Sequence, residues 1–173
     1  PGRAFTAEEK ARLLAEAAKL RSKNMYPAFV VDMNCGLRDK ELRELTWRQV
    51  DLVDTRTLTV GKSKTDAGTG RVIPPNETVL AALEQHAVWY LKRFRECKPE
   101  WYVFPAGKGQ PSDPTKPVST LGTSWDKIRQ KAGVVGRWHD NRHTLVTELA
   151  ESGAGDEVIM SIAGHVSRAM LSR

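Results

Sequence analysis

The feature that most restricts the fold is a pair of short strand-like segments in a chain whose other periodic segments are helical. Thr57-Leu58-Thr59-Val60 and Arg71-Val72-Ile73 alternate polar and apolar residues, as half-buried strands do. A Gly- and Lys-rich turn, residues 61–70, joins them, and residues 47–52 are expected to add a third strand. We therefore predict an α+β fold, mainly helical, with a small antiparallel three-stranded sheet (about 47–74) packed among helices.

The rest of the chain predicts helices with recognisable ends. Thr6 and Glu9 have the spacing of a capping box ahead of an apolar stripe. Gly36 is expected to end a second helix in the left-handed conformation, and Asp39 to cap a short third one. Further helices are predicted at about 76–95, 119–133, 140–153 and 156–164, with one more beginning near Ser167. The proline-rich residues 97–118 predict a long loop.

Length and charge indicate one domain with a polyanionic partner. A chain of 173 residues can enclose a single sizeable core. Its 27 Lys and Arg residues outnumber 21 acidic ones, which favours nucleic acid over a membrane surface. Cys35 and Cys97 have no metal-ligand spacing, and no apolar run is long enough to span a bilayer. We expect a cytoplasmic protein without a membrane partner, and, because the chain begins at Pro1, a piece of a longer one.

The C-terminal region concentrates groups that can hold and protonate an anion. Trp138-His139-Asp140-Asn141-Arg142-His143 and Gly164-His165 contain three imidazoles and a guanidinium, but no obvious nucleophile. A zinc-protease helix would need Glu directly after His139, where Asp140 stands, and Arg142 would oppose a metal cation. The Lys-rich turn lacks the spacing of a phosphate-binding P-loop. We therefore predict neither a metal nor another cofactor.

Upstream cations can complete such a site. Arg38 follows the helix-ending glycine and should project from a loop, whereas Arg142 should lie in the first turn of a helix, which also favours anions. Two guanidiniums can each clamp phosphate oxygens, and a histidine or a hairpin lysine can move a proton. This combination suits phosphoryl transfer without a metal.

Each of these residues also has an ordinary structural explanation. Arg38 could be a solvated surface group, and Lys62 and Lys64 could be charges that protect a sheet edge. His143 could lie at the edge of the core, and His165 could end a helix. We interpret His86 as structural, and the five tryptophans as packing residues rather than a base-stacking platform.

Four segments in order resemble the tyrosine recombinases, or phage integrases. Residues 35–42, Cys-Gly-Leu-Arg-Asp-Lys-Glu-Leu, resemble the family's first arginine box. His139-Asp140-Asn141-Arg142 is similar to its His-x-x-Arg box, and Gly164-His165 to its Gly-His box. The hairpin around Ser63-Lys64-Thr65 resembles the one that carries the family's catalytic lysine. Any one of these boxes is weak, but four in order over nearly the whole chain are specific.

The resemblance implies a role for each matching residue. Arg38 and Arg142 would bind the nonbridging oxygens of a scissile DNA phosphate. Lys64 would protonate the leaving 5′ oxygen, with Lys62 as the second choice. His139 and His165 would hydrogen-bond the phosphate and assist the nucleophile. The candidate set is therefore Arg38, Lys64, His139, Arg142 and His165 as catalytic residues, Glu41 and His143 as supporting residues, and Arg38, Lys62, Lys64 and Arg142 as contacts to DNA.

The family's nucleophile is a tyrosine about nine residues after the Gly-His histidine, which is one residue beyond Arg173. Tyr26, Tyr90 and Tyr102 match no such motif. We therefore expect residues 1–173 to be a single catalytic domain that ends before its nucleophile, lacks the N-terminal arm, and binds DNA without cleaving it. The intact protein would be a site-specific recombinase acting on double-stranded DNA as a homotetramer through a 3′-phosphotyrosyl link.

Two other classes remain open. The domain could be a DNA-binding regulatory module without catalysis, although binding alone does not need two histidines. It could also be a phosphodiesterase that hydrolyses RNA with two histidines and a lysine, although the secreted, disulfide-bonded composition typical of such enzymes is absent.

Overall fold

The computed structural model describes residues 2–61 and 69–164. Lys62, Lys64, His165 and the helix predicted near Ser167 lie outside the described residues. The helices, in chain order, are α1 (Ala7–Ala18), α2 (Met25–Cys35), α3 (Asp39–Arg43), α4 (Glu77–Phe94), α5 (Gly122–Ala132), α6 (Asp140–Glu151) and α7 (Asp156–Ala163). Helices thus dominate the described part of the chain, and the predicted α+β class is confirmed.

The predicted antiparallel sheet is confirmed, with strands shorter than expected. It consists of β1 (Val50–Asp51), β2 (Thr57–Thr59) and β3 (Val72–Ile73), in that order. Leu58 pairs with Val50 on one side and with Ile73 on the other. Leu58 and Ile73 are buried, whereas Val72 is exposed, so the alternation in the sequence does mark the side of the sheet that faces the core.

Residues 47–49 form a 3-10 helix, whereas the sequence predicted that they begin a strand. The Gln49 side chain closes this turn by accepting a hydrogen bond from the Thr46 backbone N–H at 2.8 Å. The Gln49 backbone N–H donates to the Thr46 carbonyl at 3.0 Å. This local bonding satisfies backbone groups that a strand would need to pair, so β1 begins only at Val50.

The long loop predicted at residues 97–118 is in part a pair of strands. It contains β4 (Pro105–Ala106) and β5 (Asp113–Pro117), which pair antiparallel with a register shift next to Pro105. The backbone bond from Val103 N–H to the Leu45 carbonyl (2.9 Å) docks this segment on the core. A bond from Val118 N–H to the Phe104 carbonyl (2.8 Å) joins two parts of the segment itself. Prolines cannot donate ladder hydrogen bonds, so the strands are short and the segment has no period-2 pattern.

The core is built around α2, nine of whose residues are buried. It contacts α1, α4 and α6, which explains why its sequence is apolar on all sides. The Phe29 ring lies 5.8 Å from Trp125 and 5.9 Å from Trp138 between ring centroids. Trp125 is buried, and the half-buried Trp138 packs against the core, so both are packing residues, as expected. Among the described residues, the longest and most apolar helices still fall short of what a bilayer crossing requires.

A second group of rings surrounds His86 on α4, and we call it the aromatic cluster. The His86 ring stacks on Trp89 at 5.2 Å and on Trp47 at 6.1 Å, and lies 5.4 Å from Phe104. Its Nε2 lies 2.6 Å from the Val103 carbonyl oxygen. Burial lowers the pKa of His86 to about 4, so the ring is neutral at neutral pH. The interpretation of His86 as a structural residue agrees with this packing.

Candidate active site

The loop that carries Arg38 is pressed against α6. Gly36 ends α2 with φ 64°, the left-handed conformation predicted for it. Its carbonyl accepts a 2.7 Å hydrogen bond from Arg142 Nη1. A Cβ at Gly36 would lie 2.8 Å from Leu145 Cδ2, so the close approach of loop and helix requires glycine here.

Glu41 organises the beginning of α3. The residue that precedes this helix is Arg38, whereas Asp39 was predicted there. The Arg38 backbone N–H donates to Glu41 Oε1 at 2.8 Å. The Arg38 side chain, 19% exposed, has its Nη1 3.8 Å from Glu41 Oε2. The Glu41 carboxylate, 2% exposed, also accepts two hydrogen bonds from Arg71, at 2.9 and 3.0 Å. Arg38 is thus held at a partly open edge of a buried ion pair.

Arg142 lies within the first turn of α6 and is 3% exposed. Burial is the main cause that lowers the pKa of Arg142 to about 10, and repulsion from Arg38 and Arg71 adds to it. The Glu41 carboxylate opposes this shift. The guanidinium is still charged at neutral pH. Three guanidiniums therefore influence one another around the Glu41 carboxylate, and we call Arg38, Glu41, Arg71 and Arg142 the arginine cluster.

A second carboxyl, that of Asp32, lies near Arg142. Asp32 on α2 is 1% exposed, and burial raises its pKa well above the usual value, against the effects of Asn141 and Arg142. Burial therefore favours the neutral form of Asp32. Among the described residues, the arginine cluster thus groups three guanidiniums around the Glu41 carboxylate in a site that is mostly shielded from water.

The two histidines of α6 stand next to one another. His139 is the residue that precedes the helix, a position predicted for Asp140. The centroid of the His139 ring lies 5.3 Å from that of His143, and the two ring planes are 89° apart. Desolvation lowers the pKa of His139, and positive charge on His143, Arg142 and Arg137 adds to the effect. The pKa shift favours a neutral ring at neutral pH, which can accept a proton or a hydrogen bond.

The N-terminal segment, residues 2–6, which we call the strap, is hydrogen-bonded to the start of α6. The Phe5 backbone N–H donates to Thr144 Oγ1 at 2.8 Å, and the Arg3 N–H donates to Asp140 Oδ1 at 3.2 Å. A side chain at Gly2 would collide with the His143 ring. Asp140 Oδ2 also accepts from the Arg137 N–H at 2.8 Å. These bonds fix the turn that presents His139 and Arg142.

The structure brings together Arg38, Glu41 and Arg142, with His139 and His143 on the same turn as Arg142. Lys62, Lys64 and His165 lie outside the described residues. Arg71 and Asp32 were not among the residues predicted from the sequence. Arg71 could have been found, because it has the same strand parity as the buried Ile73 and an arginine is unusual on that side. Asp32 could have been noticed as a carboxyl inside an otherwise apolar helix.

A cavity of about 270 Å³ is lined by residues of α1, α2 and α4, including Tyr26 and Trp89, and by none of the candidate residues that the structure describes. Across residues 2–61 and 69–164, no three His, Cys, Asp or Glu side chains are grouped closely enough to hold a metal ion.

Comparison with known proteins identifies the family that the chain resembles. The profile of the phage integrase family matches residues 3–173. The tyrosine recombinase XerD of Pseudomonas putida is 28% identical over 157 residues, which cover 88% of this chain and 48% of the relative. The chain thus spans about half the length of the curated relatives it matches.

Solved structures agree at the level of the fold. The crystal structure of XerA recombinase superposes with a TM-score of 0.77 at 25% identity, over 98% of this chain and 57% of that one. The integrase of transposon Tn1549, solved in complex with circular intermediate DNA, gives a TM-score of 0.74 at 22% identity over 99% of this chain and 60% of that one.

Proposed function

The chain belongs to the phage integrase family, as its four motifs predicted, and we propose that the intact protein is a site-specific DNA recombinase. It would cleave and rejoin strands of double-stranded DNA through a 3′-phosphotyrosyl link, as a homotetramer. Residues 1–173 would form one catalytic domain of that protein. The relatives are named tyrosine recombinases, and the Tn1549 integrase was solved with DNA.

The observation that carries the proposal is the grouping of three guanidiniums in the arginine cluster. Arg38, Arg71 and Arg142 lie around the Glu41 carboxylate, and burial raises the pKa of Asp32, which favours its neutral form. Several guanidiniums in a site that is mostly shielded from water favour the binding of an anion with several oxygens. A DNA phosphate fits because guanidiniums bind its oxygens in a bidentate manner.

The chemistry follows from the residues around that phosphate. Arg38 and Arg142 would each bind a nonbridging oxygen and stabilise the charge that develops there. A tyrosine oxygen would form a bond to phosphorus while the bond from phosphorus to the 5′ oxygen breaks. Lys64, or Lys62 in its place, would give its proton to that leaving oxygen. His139 and His165 would hydrogen-bond the phosphate and help the tyrosine lose its proton, supported by Glu41 and His143.

The attacking tyrosine is not one of the three tyrosines in these 173 residues. Tyr90 is fully buried, donates from its hydroxyl to the Tyr102 carbonyl at 2.8 Å, and has a pKa raised by burial. Tyr26 lines the cavity by α4, away from the arginine cluster. Residues 1–173 alone would therefore bind DNA without cleaving it.

The decisive experiment adds the proposed nucleophile. Residues 1–173 extended by the native sequence that follows, expected to begin with Tyr, are incubated with a nicked DNA substrate, and covalent protein–DNA product is measured on a denaturing gel. A matched protein with Phe at that position is the control. We expect a covalent band for the Tyr protein alone. DNA binding without any covalent product would favour the regulatory module instead.

DNA binding by residues 1–173 is tested separately through its salt dependence. If several cations contact phosphates, log K should fall linearly with log salt concentration, by roughly 0.9 for each phosphate neutralised. A fluorescence titration between low and moderate salt measures the slope. A flat response would contradict phosphate binding.

A further inference from the structure

Arg71 occupies an unusual position for a cation. It is the residue before β3, on the same side as the buried Ile73, and its side chain is only 5% exposed. Its carbonyl also closes the hairpin by accepting from the Val60 N–H at 2.9 Å. The backbone of Arg71 therefore belongs to the hairpin, and its side chain belongs to the interior.

The Arg71 guanidinium joins three separate parts of the chain. Nη1 and Nη2 donate to Glu41 Oε2 and Oε1 at 2.9 and 3.0 Å. Nε donates to the carbonyl of Ile162, next to the last residue of α7, at 2.9 Å. Glu41 Oε1 also accepts from the Arg38 backbone N–H, so Glu41 links Arg71 to the first arginine box. The hairpin, α3 and the end of α7 thus meet at a single side chain.

Stability alone does not account for an arginine here. The positive charge of Arg71 opposes that of Arg142 and contributes to lowering the pKa of that residue. A buried ion pair can often be replaced by apolar groups at little or no cost in stability. What an apolar residue cannot do is hold a carboxylate and a helix-end carbonyl in fixed relative positions, which requires the planar fork of donors.

We propose that Arg71 is a positioning residue that fixes the first arginine box relative to the C-terminal end of α7, which leads directly into Gly164-His165. It acts through Glu41 and Ile162 rather than by touching the scissile phosphate. This inference rests on the proposed recombinase function, because it concerns the alignment of Arg38 with the Gly-His box.

The first test measures catalysis and DNA affinity separately in the full-length protein. Arg71→Lys retains the charge but cannot form the bidentate pair together with the third bond. We expect the single-turnover cleavage rate at saturating nicked DNA to fall about tenfold to a hundredfold, as for small misplacements of catalytic groups. The Kd for DNA should stay within about threefold, because no phosphate contact is lost.

The matched control is Arg12→Lys. Arg12 Nε donates to the carbonyl of Ala132 at the end of α5, and Nη1 donates to Glu8 at 3.0 Å, so the same kinds of bond are lost away from the arginine cluster. The melting temperature of each variant is measured so that the more exposed control is compared at equal fractional folding. Arg12→Lys should leave the cleavage rate unchanged. A rate for Arg71→Lys within threefold of the parent, or a tenfold weaker Kd with the saturated rate retained, would overturn the positioning role.

Coupling to Glu41 gives a second readout that general destabilisation does not imitate. If Arg71 acts through Glu41, the rate losses of Arg71→Lys and Glu41→Gln should not multiply in the double variant. Independent, multiplicative losses would contradict the proposed route.

A third readout does not depend on cleavage. Hydrogen exchange of the α7 amides, Asp156–Ala163, is measured by mass spectrometry in residues 1–173. We expect exchange at least about threefold faster in Arg71→Lys than in Arg12→Lys, because α7 loses its anchor. Equal exchange would overturn the inference. Faster exchange in a protein whose parent never forms covalent product would retain the anchor and reject the recombinase function instead.

Discussion

The arginine cluster and the aromatic cluster both bury titratable side chains, but they handle charge in opposite ways. In the aromatic cluster, stacked rings and one carbonyl keep His86 neutral, so nothing is left to balance. In the arginine cluster, three guanidiniums surround Glu41 and the charges remain. The contrast separates a histidine that serves packing from grouped cations that suit the proposed phosphate, although both clusters lie in the interior of the described structure.

The largest effect that distinguishes the two clusters should come from Glu41→Gln. Removing one partner of a buried pair leaves Arg71 uncompensated, which typically costs about 3–5 kcal/mol in the free energy of unfolding. Urea unfolding at neutral pH measures it. Glu84→Gln, which breaks an exposed contact to Arg56 at 3.4 Å, should cost less than about 1 kcal/mol. Equal losses of unfolding free energy in the two variants would contradict a larger contribution from the buried Glu41–Arg71 pair.

Arg142→Ala should have the next largest effect, on rate. Loss of one stabiliser of the phosphate charge should lower the cleavage rate of the full-length protein by about 10²–10³, or about 2.7–4 kcal/mol. Single-turnover cleavage of nicked DNA measures it. In the aromatic cluster, His86→Gln should keep the rate within about threefold at a temperature where it is folded. A loss below tenfold for Arg142→Ala would contradict its assigned role.

The pH dependence of stability should sharpen the comparison from the side of His86. Its folded pKa, about 4, lies below the unfolded value of 6.5. The stability associated with the neutral ring is therefore complete above pH 6.5 and is lost as pH falls towards 4. Between pH 7 and pH 5 this amounts to about 2 kcal/mol. Unfolding of the parent and of His86→Gln at both pH values should show this difference, and parallel curves would refute a buried neutral imidazole.

The last effect is expected at Asp32, whose neutral form is favoured by burial beside the arginine cluster. Its folded pKa is raised by burial, so its contribution to stability is complete below about pH 3.8 and declines as pH rises. Asp32→Asn should remove that decline, so the stability of the variant relative to the parent should rise with pH. Thermal melts from pH 4 to pH 7 test this. A variant that becomes less stable relative to the parent as pH rises would show that Asp32 is ionised.

Local patterns predicted the helices and the sheet well, because they depend on neighbouring residues. The capping box of Thr6 and Glu9, the left-handed Gly36 and the alternation at Leu58 are all found as expected. Motif order predicted the grouping of Arg38, Glu41 and Arg142. Arg71 and Asp32 were missed because their significance comes from partners that are distant in sequence, Ile162 and Asn141 among them. The strands at Pro105 and Asp113 were missed because prolines conceal pairing that is decided by docking on the core.

The strap of residues 2–6 also has a consequence for the order in which the molecule assembles. The Phe5–Thr144 bond joins residues 139 positions apart, and Gly36 meets Arg142 across 106 positions. Contacts of such long range form only after the intervening chain is available, and they slow folding. During synthesis, α2 must therefore wait for α6, and α1 for α5, before the faces that pack against these helices are covered. We expect the arginine cluster to be among the last parts of this structure to form.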